Sequence, residues 1–223
     1  MGKLLSEGEI LSCARFPIGS NYTFLIKIGN GTGRYLSAIY KPKYGEAPLW
    51  DFPSGTLYKR EYAAYLLSAS LGWNFIPETV IRHGPYGIGS VQKYVIPSQR
   101  IHYDEIPKNY RSALREIACF DILANNADRK DVHCFIGSEG RVWGIDHGLT
   151  FHHHLKLRTA IWDFWGEEFP SYFSKPLCKL MERLNEPRGK VKELVDLLDP
   201  VEIEALKIRL NWLVELNAFP ILR

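Results

Sequence analysis

The chain changes its hydrophobic period near its middle, and that change limits the folds open to it. Up to about residue 96, short apolar, β-rich runs lie between Gly- and Pro-containing turns, with one helical stretch among them. Beyond it, apolar residues recur mainly at three- and four-residue intervals, the period of helices packed on one face. Ile96-Pro97-Ser98 breaks both patterns and reads as a linker. The expected architecture is α+β and two-lobed. A small β-rich lobe with one helix covers residues 1–96, and a larger α-rich lobe covers 97–223. A junction of two lobes is a common place for a ligand cleft.

In the first half, residues 22–28 and 34–40 read as strands around the hairpin turn Gly29-Asn30-Gly31-Thr32-Gly33. Lys41-Pro42 closes the second strand, because Pro cannot donate to a ladder. A Pro- and Gly-rich loop follows over 42–55, then a helix over 56–71 with Gly72 as its left-handed cap. Tyr58, Tyr62, Tyr65, Leu66 and Ala69 form that helix's apolar stripe, with Glu61 on its edge. Strands near 78–82 and 89–95 complete this half.

In the second half, a helix over 110–124 places Leu114, Ile117, Ala118 and Ile122 on one face. Residues 134–136 and 142–145 read as a hairpin around Ser138-Glu139-Gly140. Helices resume over 176–185 and 191–198. The last one opens with Asp199 as N-cap, Pro200 at its first position and Glu202 three residues on. Its apolar face holds Ile203, Leu206, Leu210 and Leu213. The stretch 147–170 is irregular, and loops of that length in compact domains are often functional.

Charge and composition exclude several function classes. The formal charge is only +3 and no run of five Lys or Arg occurs, so no nucleic-acid footprint is expected. No window approaches 18 consecutive apolar residues, so no transmembrane segment is expected. The first residues lack a basic start followed by an apolar stretch, which argues against a signal peptide. Cys13, Cys119, Cys134 and Cys178 are far apart and form no CxxC, as reduced thiols in a cytoplasmic protein would be. At 223 residues and 46% hydrophobic, the chain can bury a sizeable core without disulfides.

Chemistry-bearing residues concentrate in the segment FDILANNADRKDVHCFI, residues 120–136. Asn125, Asn126, Asp128, Arg129, Lys130, Asp131 and His133 crowd the connection between a helix and a strand. A second group, Gly144-Ile145-Asp146-His147-Gly148, follows the next strand. Asp128 and Asp146 are 18 residues apart, the distance a hairpin needs to return to its start. Two carboxylates then face one cleft, one for a metal and one for a reacting hydroxyl. Asp121 lies on the apolar helix face and reads as a brace for the 125–129 loop, since a buried carboxylate must be paired. His152-His153-His154 is a poor metal set, because adjacent extended residues alternate faces. Lys156 and Arg158 fit either an anionic substrate or a solvated loop. Trp50, Trp162 and Trp165 read as core or loop-packing residues.

Helix, Asn-x-Asp-Arg, polar ligand position, hairpin and Asp-x-Gly, in that order, resemble the catalytic core of the phosphatidylinositol 3- and 4-kinase-like superfamily. That superfamily includes the HipA-type bacterial protein kinases. Within it the resemblance is to a family of short bacterial proteins carrying LWDFPSGTLYKRE-, GIGSVQ- and NADRK-type segments, here 49–61, 87–92 and 126–130. It covers about residues 19–162. The resemblance implies a protein-kinase-like fold and an ATP-dependent phosphotransferase. Lys41 would hold the α- and β-phosphates of ATP, and Glu61 would pair with it. Gly19, Ser20 and Asn21 would form the turn over the phosphates. Gln92, Tyr94 and Val95 would belong to the inter-lobe strand that meets adenine. Asp128, with Arg129 and Lys130 beside it, would form the catalytic loop and orient or deprotonate the acceptor hydroxyl. Asp146 would hold Mg²⁺ or Mn²⁺, with His133 at the second ligand position.

Two positions depart from the pattern. His133 stands where the superfamily has Asn, and imidazole suits Mg²⁺ poorly. The phosphate turn has no GxGxxG, a pattern that HipA-like and lipid-kinase-like members also lack. The implied acceptor is a protein Ser/Thr or a soluble alcohol rather than a lipid. Two alternatives stay open: a nucleotide-binding pseudokinase, motivated by His133, and a metal-dependent hydrolase built from Asp121, Asp128, His133, Asp146 and His147.

Overall fold

The computed structural model describes residues 2–16, 21–31, 33–98 and 103–221. The first half builds helix α1 (Gly2–Glu7), strands β1 (Glu9–Phe16), β2 (Thr23–Gly29) and β3 (Tyr35–Pro42), helix α2 (Leu57–Leu71), and strands β4 (Thr79–Gly84) and β5 (Gly87–Lys93). The five strands form one sheet in the order β1-β2-β3-β5-β4, with every neighbouring pair antiparallel. Alternation decides which face is covered. Phe24, Ile26 and Ile28 of β2, Ala38 and Tyr40 of β3 and Val91 of β5 turn to one side and form a small core with Leu5 of α1.

The second half is helical around one short hairpin: α3 (Arg111–Ala124), β6 (Cys134–Ile136), β7 (Val142–Gly144), α4 (Ser174–Asn185), α5 (Lys190–Leu197) and α6 (Pro200–Leu216). The fold is α+β, a β-rich lobe beside a helical one, as the change of period predicts. Asp199 caps α6 as expected, accepting from the Val201 N–H while Glu202 reaches back to the Asp199 N–H. Gly72 closes α2 at φ 77°, in the left-handed region that favours glycine.

Three features differ from the sequence reading. Helix α1 and strand β1 were not foreseen. Strand β1 is a sheet edge with no fully buried residue, and a register shift between Ile10 and Ser12 breaks its alternation. Helix α2 has no single stripe. Tyr58 and Leu66 are buried, but so are Leu57, Ala63, Ala64, Leu67 and Leu71, while Tyr62, Tyr65 and Ala69 are only half-buried. The helix is wedged between β4 and β5 on one side and α4 and α5 on the other, so most of its circumference is covered. Ala63, Ala64, Leu66, Leu67 and Leu71 join the core of the helical lobe rather than the small core of the sheet, and Leu57 packs in a third cluster with Phe52 and Ala127. The third difference is Trp50, which is 92% exposed, with Trp162 at 52%. Trp162 and Trp165 pack on each other, ring centroids 4.4 Å apart, as loop-packing residues.

The four cysteines are free thiols. Among the described residues, no helix is long and apolar enough to cross a membrane.

Gly89 shows how tightly the sheet is drawn at its functional end. It pairs with Pro42, and a Cβ there would lie 2.4 Å from the Lys41 carbonyl oxygen and 2.6 Å from Pro42 Cα. Neither backbone atom can move without opening the β3–β5 pairing. Gly89→Ala is expected to cost about 1–3 kcal/mol, read as a lower urea midpoint. An unchanged midpoint would show that this contact relaxes freely.

Candidate functional site

Strand β3 delivers Lys41 from the sheet, α2 delivers Glu61 from the side, and the turn after β7 delivers Asp146 from the helical lobe. The Lys41 ammonium donates to Glu61 Oε1 and, at 2.9 Å, to Asp146 Oδ1. Glu61 also accepts from the His147 N–H through Oε2 at 3.1 Å. One lysine of the sheet thus joins a helix residue and a residue 105 positions further along the chain. Burial opposes the Lys41 charge, but the Asp146 and Glu61 carboxylates overcome it and hold the ammonium above its ordinary range. Burial pushes the Glu61 carboxyl up, against the pull of Lys41. The Lys41 charge holds Asp146 well below the usual carboxylate range, so it is ionised. Glu61 is buried, whereas the Asp146 side chain stays 47% exposed on the cleft.

The turn that carries Asp146 is built rather than flexible. The Gly144 N–H donates to the Phe75 carbonyl and the Ile145 N–H to the His133 carbonyl. Asp146 itself has φ 62°, a left-handed conformation that a non-glycine residue holds only when its surroundings impose it.

The 125–129 loop is fixed from below by one buried ion pair. The Arg129 guanidinium grips both oxygens of Asp121, with Nε at 2.9 Å from Oδ2 and Nη2 at 2.8 Å from Oδ1, and neither side chain is exposed. Asn126 and Thr159 also donate to that carboxylate. The far side of the guanidinium donates to the Ile145 carbonyl and to His147 Nε2 at 2.7 Å. Asp121 is therefore the brace the sequence predicts, and it braces the Asp146 turn as well. Asn125 caps α3 at φ 51°, and its side chain holds the His152 and His154 carbonyls and the Lys156 N–H.

Above this floor, Asp128 is partly exposed, with its N–H on Asn126 Oδ1 at 3.1 Å and its carboxylate 2.9 Å from the Lys130 ammonium. His133 is buried, and that burial lowers its pKa and keeps the ring neutral. The Lys130 N–H faces Nδ1 at 3.4 Å, so the ring proton of this tautomer sits on Nε2, 3.4 Å from Asp146 Oδ2. In this state the Nε2 proton faces the Asp146 carboxylate and leaves no lone pair there for a cation. His133 can offer Nε2 to a cation only by switching tautomer and giving up the Lys130 N–H.

A divalent cation fits here in a limited way. Among the described residues, no group of three or more His, Cys, Asp or Glu is arranged to hold a metal by itself. The exposed Asp146 carboxylate supplies one hard oxygen, and such sites are completed by substrate phosphates. The hydrolase set does not converge, because Asp121 and His147 are both buried against Arg129.

The remaining expected residues are placed as follows. Gln92 lies inside β5, opposite Ile39 and Thr79, and its side chain donates to Thr79 Oγ1. The Tyr94 N–H donates to the Ser37 carbonyl. Val95 follows it, half-buried, where the chain leaves the sheet. Asn21 accepts from the Ala47 N–H at 2.7 Å, which ties residue 21 to the loop after β3. Gly19 and Ser20 lie outside the described residues. Lys156 pairs with Asp51 and lies over the exposed Trp50 ring. Sequence reasoning missed Arg60 and Glu202, a buried ion pair beside Glu61. The one available signal was a charged residue on the inner side of an apolar helix.

No family model matches the chain. A curated relative, Protein Rv2133c of Mycobacterium tuberculosis, is 36% identical over 97% of this chain and 90% of its own length. The chain belongs to the family of Protein Rv2133c. Three solved structures resemble this member of the Rv2133c family in fold. The Helicobacter pylori proinflammatory kinase CtkA has a TM-score of 0.53 at 14% identity, covering 96% of this chain and 94% of that one. The Golgi casein kinase with Mn/ADP bound has a TM-score of 0.53 at 16% identity, covering 95% and 73%. Hydra Fam20 with sugar has a TM-score of 0.51 at 16% identity, covering 96% and 86%. The Rv2133c family member therefore has a kinase-like fold.

Removing one partner of a buried ion pair strands the other. Asp121→Ala is expected to cost about 3–5 kcal/mol in urea unfolding, more than any single exposed charge in the cleft. A loss below about 1 kcal/mol would show that Arg129 finds other acceptors.

Proposed function

We propose that the chain is an ATP-dependent phosphotransferase of the phosphatidylinositol 3- and 4-kinase-like superfamily, in the HipA-like branch. The observation that carries this reading is the Lys41 ammonium, shared between Glu61 of α2 and Asp146 of the helical lobe. A cation fixed by two carboxylates at a strand end is what polyphosphate binding needs. The Mn/ADP found in the Golgi casein kinase structure supports nucleotide and divalent-cation use in a cleft of this fold.

The proposal assigns the following roles. Residues 1–96 form the nucleotide-binding lobe and 97–223 the catalytic lobe, with α2 packed into the core of the helical one. Lys41 holds the α- and β-phosphates, and Glu61 holds Lys41. Gly19, Ser20 and Asn21 cover the phosphates from the β1–β2 connection. Adenine meets the backbone at Tyr94 and Val95, where the chain leaves the sheet, while Gln92 braces that edge through Thr79. Asp146 holds Mg²⁺ or Mn²⁺, and His133 is the second position, available to the cation once its tautomer switches. Bound there, the cation would neutralise charge developing on the transferred phosphoryl group. Asp128 orients or deprotonates the acceptor hydroxyl. Lys130 holds the Asp128 carboxylate, and Arg129 holds the loop from below. The acceptor is a protein Ser/Thr or a soluble alcohol, and kinship in fold with a casein kinase favours protein.

His133 also supports the second reading, a nucleotide-binding module without transfer. In its present tautomer, Asp146 is the only ready ligand of that pair. Transfer separates the two readings. The chain, given γ-labelled ATP with Mn²⁺ or Mg²⁺, should pass label to itself, to a Ser/Thr peptide library or to water. Asp128→Asn and Asp146→Ala should each lose at least about a hundredfold of that rate. Equal rates in both variants and the native chain would overturn the assignment. No transfer from the native chain would leave the binding module.

A further inference from the structure

Arg60 precedes Glu61 on α2 and points about 100° away from it, toward the helical lobe. Its side chain is 2% exposed. Nη2 donates to Glu202 Oε1 and Nη1 to the Thr150 carbonyl, both at 2.6 Å. Nε faces Thr56 Oγ1, and the guanidinium lies 5.0 Å above the Phe52 ring. Glu202 is 142 residues away, in the first turn of α6, where its second oxygen closes the capping box of that helix.

The Thr150 contact matters most. Thr150 Oγ1 donates to the His147 carbonyl, and the His147 N–H donates to Glu61 Oε2. The contacts close a ring: Arg60 to Thr150, Thr150 to His147, His147 to Glu61, and Glu61 back along α2 to Arg60. The segment the ring holds is flanked on both sides by strained residues, since Asp146 and Phe151 hold positive φ, at 62° and 66°. A buried ion pair gives little net stability over apolar packing of the same volume. What a guanidinium fork adds is direction, because its donors are set at fixed angles. Two apolar side chains could hold α2 against α6, but they could not locate the Thr150 carbonyl.

We propose that Arg60 and Glu202 form a clamp through which the last helix sets the position of α2 and of the Asp146 turn. Both are positioning residues, and neither reaches the cleft. The proposal rests on the phosphotransferase reading for its effect on nucleotide, but the clamp itself is a statement about geometry. It means that the Lys41–Glu61–Asp146 cluster is assembled by the chain's own C-terminal helix.

The test has two readouts on Glu202→Gln: hydrogen exchange at the His147 amide, and calorimetric affinity for a non-hydrolysable ATP analogue with Mn²⁺. The His147 amide should exchange at least about tenfold faster, and affinity should weaken about tenfold, as loss of a charge-assisted hydrogen bond predicts. Amides at the centre of α6, such as Leu210, should keep their native protection. If Glu202→Gln does not fold, Arg60→Met combined with Glu202→Leu buries no charge and answers the same question. A purely structural pair would lower the melting temperature and leave both readouts at the native value, which would overturn the clamp. Should the native chain bind no nucleotide, the phosphotransferase reading fails, and the His147 exchange alone decides whether the clamp exists.

Discussion

The buried pair of Arg129 and Asp121 is the constraint on which the site depends. Both groups are removed from water, so the pair must satisfy itself with excellent geometry or be replaced by apolar packing. Each of the three Arg129 guanidinium nitrogens has a partner: Nε and Nη2 face the carboxylate, Nη2 also faces Nε2 of His147, and Nη1 faces the carbonyl before Asp146. Helix α3, the 125–129 loop and the Asp146 turn thereby share a single rigid reference. Asp128 projects from the top of that reference, and Asp146 from its edge.

A second constraint comes from the sheet. Lys41 reaches the cleft because β3 pairs with β5 at a point where Gly89 lets the backbones close. Helix α2 mediates between the two constraints. Most of its apolar residues lie in the core of the helical lobe, while Glu61 looks toward the sheet. A helix that belongs to one core and serves the other lobe needs something to set its height and rotation. The contacts of Arg60 with α6 and Thr150 do this at one side, and Lys41 does it at the other.

What was legible in the sequence was local. The α6 cap, the Gly72 terminus and the β6–β7 hairpin each rest on chemistry within a few residues, and each stands as read. The 120–136 and 144–148 segments were legible because unlike charges crowd a short connection, and the structure packs them on each other through Arg129 and His133. What failed was non-local. Strand β1 has no fully buried residue, so its pattern carries no period. Within α2 Glu61 read only as a stripe-edge residue; its ion pair with Lys41 came from the resemblance, because no helix periodicity shows a partner on the sheet. Arg60 and Glu202 are separated by 142 positions, and no spacing rule links them. Trp50 read as a packing residue on hydrophobicity alone, yet its loop runs outside both cores.

The central claim is that Lys41, Glu61 and Asp146 form a phosphate site that works with a divalent cation. Calorimetric titration of the native chain and of Lys41→Met with ATP, with and without Mn²⁺ or Mg²⁺, tests it most directly. The account predicts cation-dependent binding that weakens at least about tenfold when Lys41 is replaced. Binding that ignores both the cation and Lys41, or no binding with either ion, would contradict it.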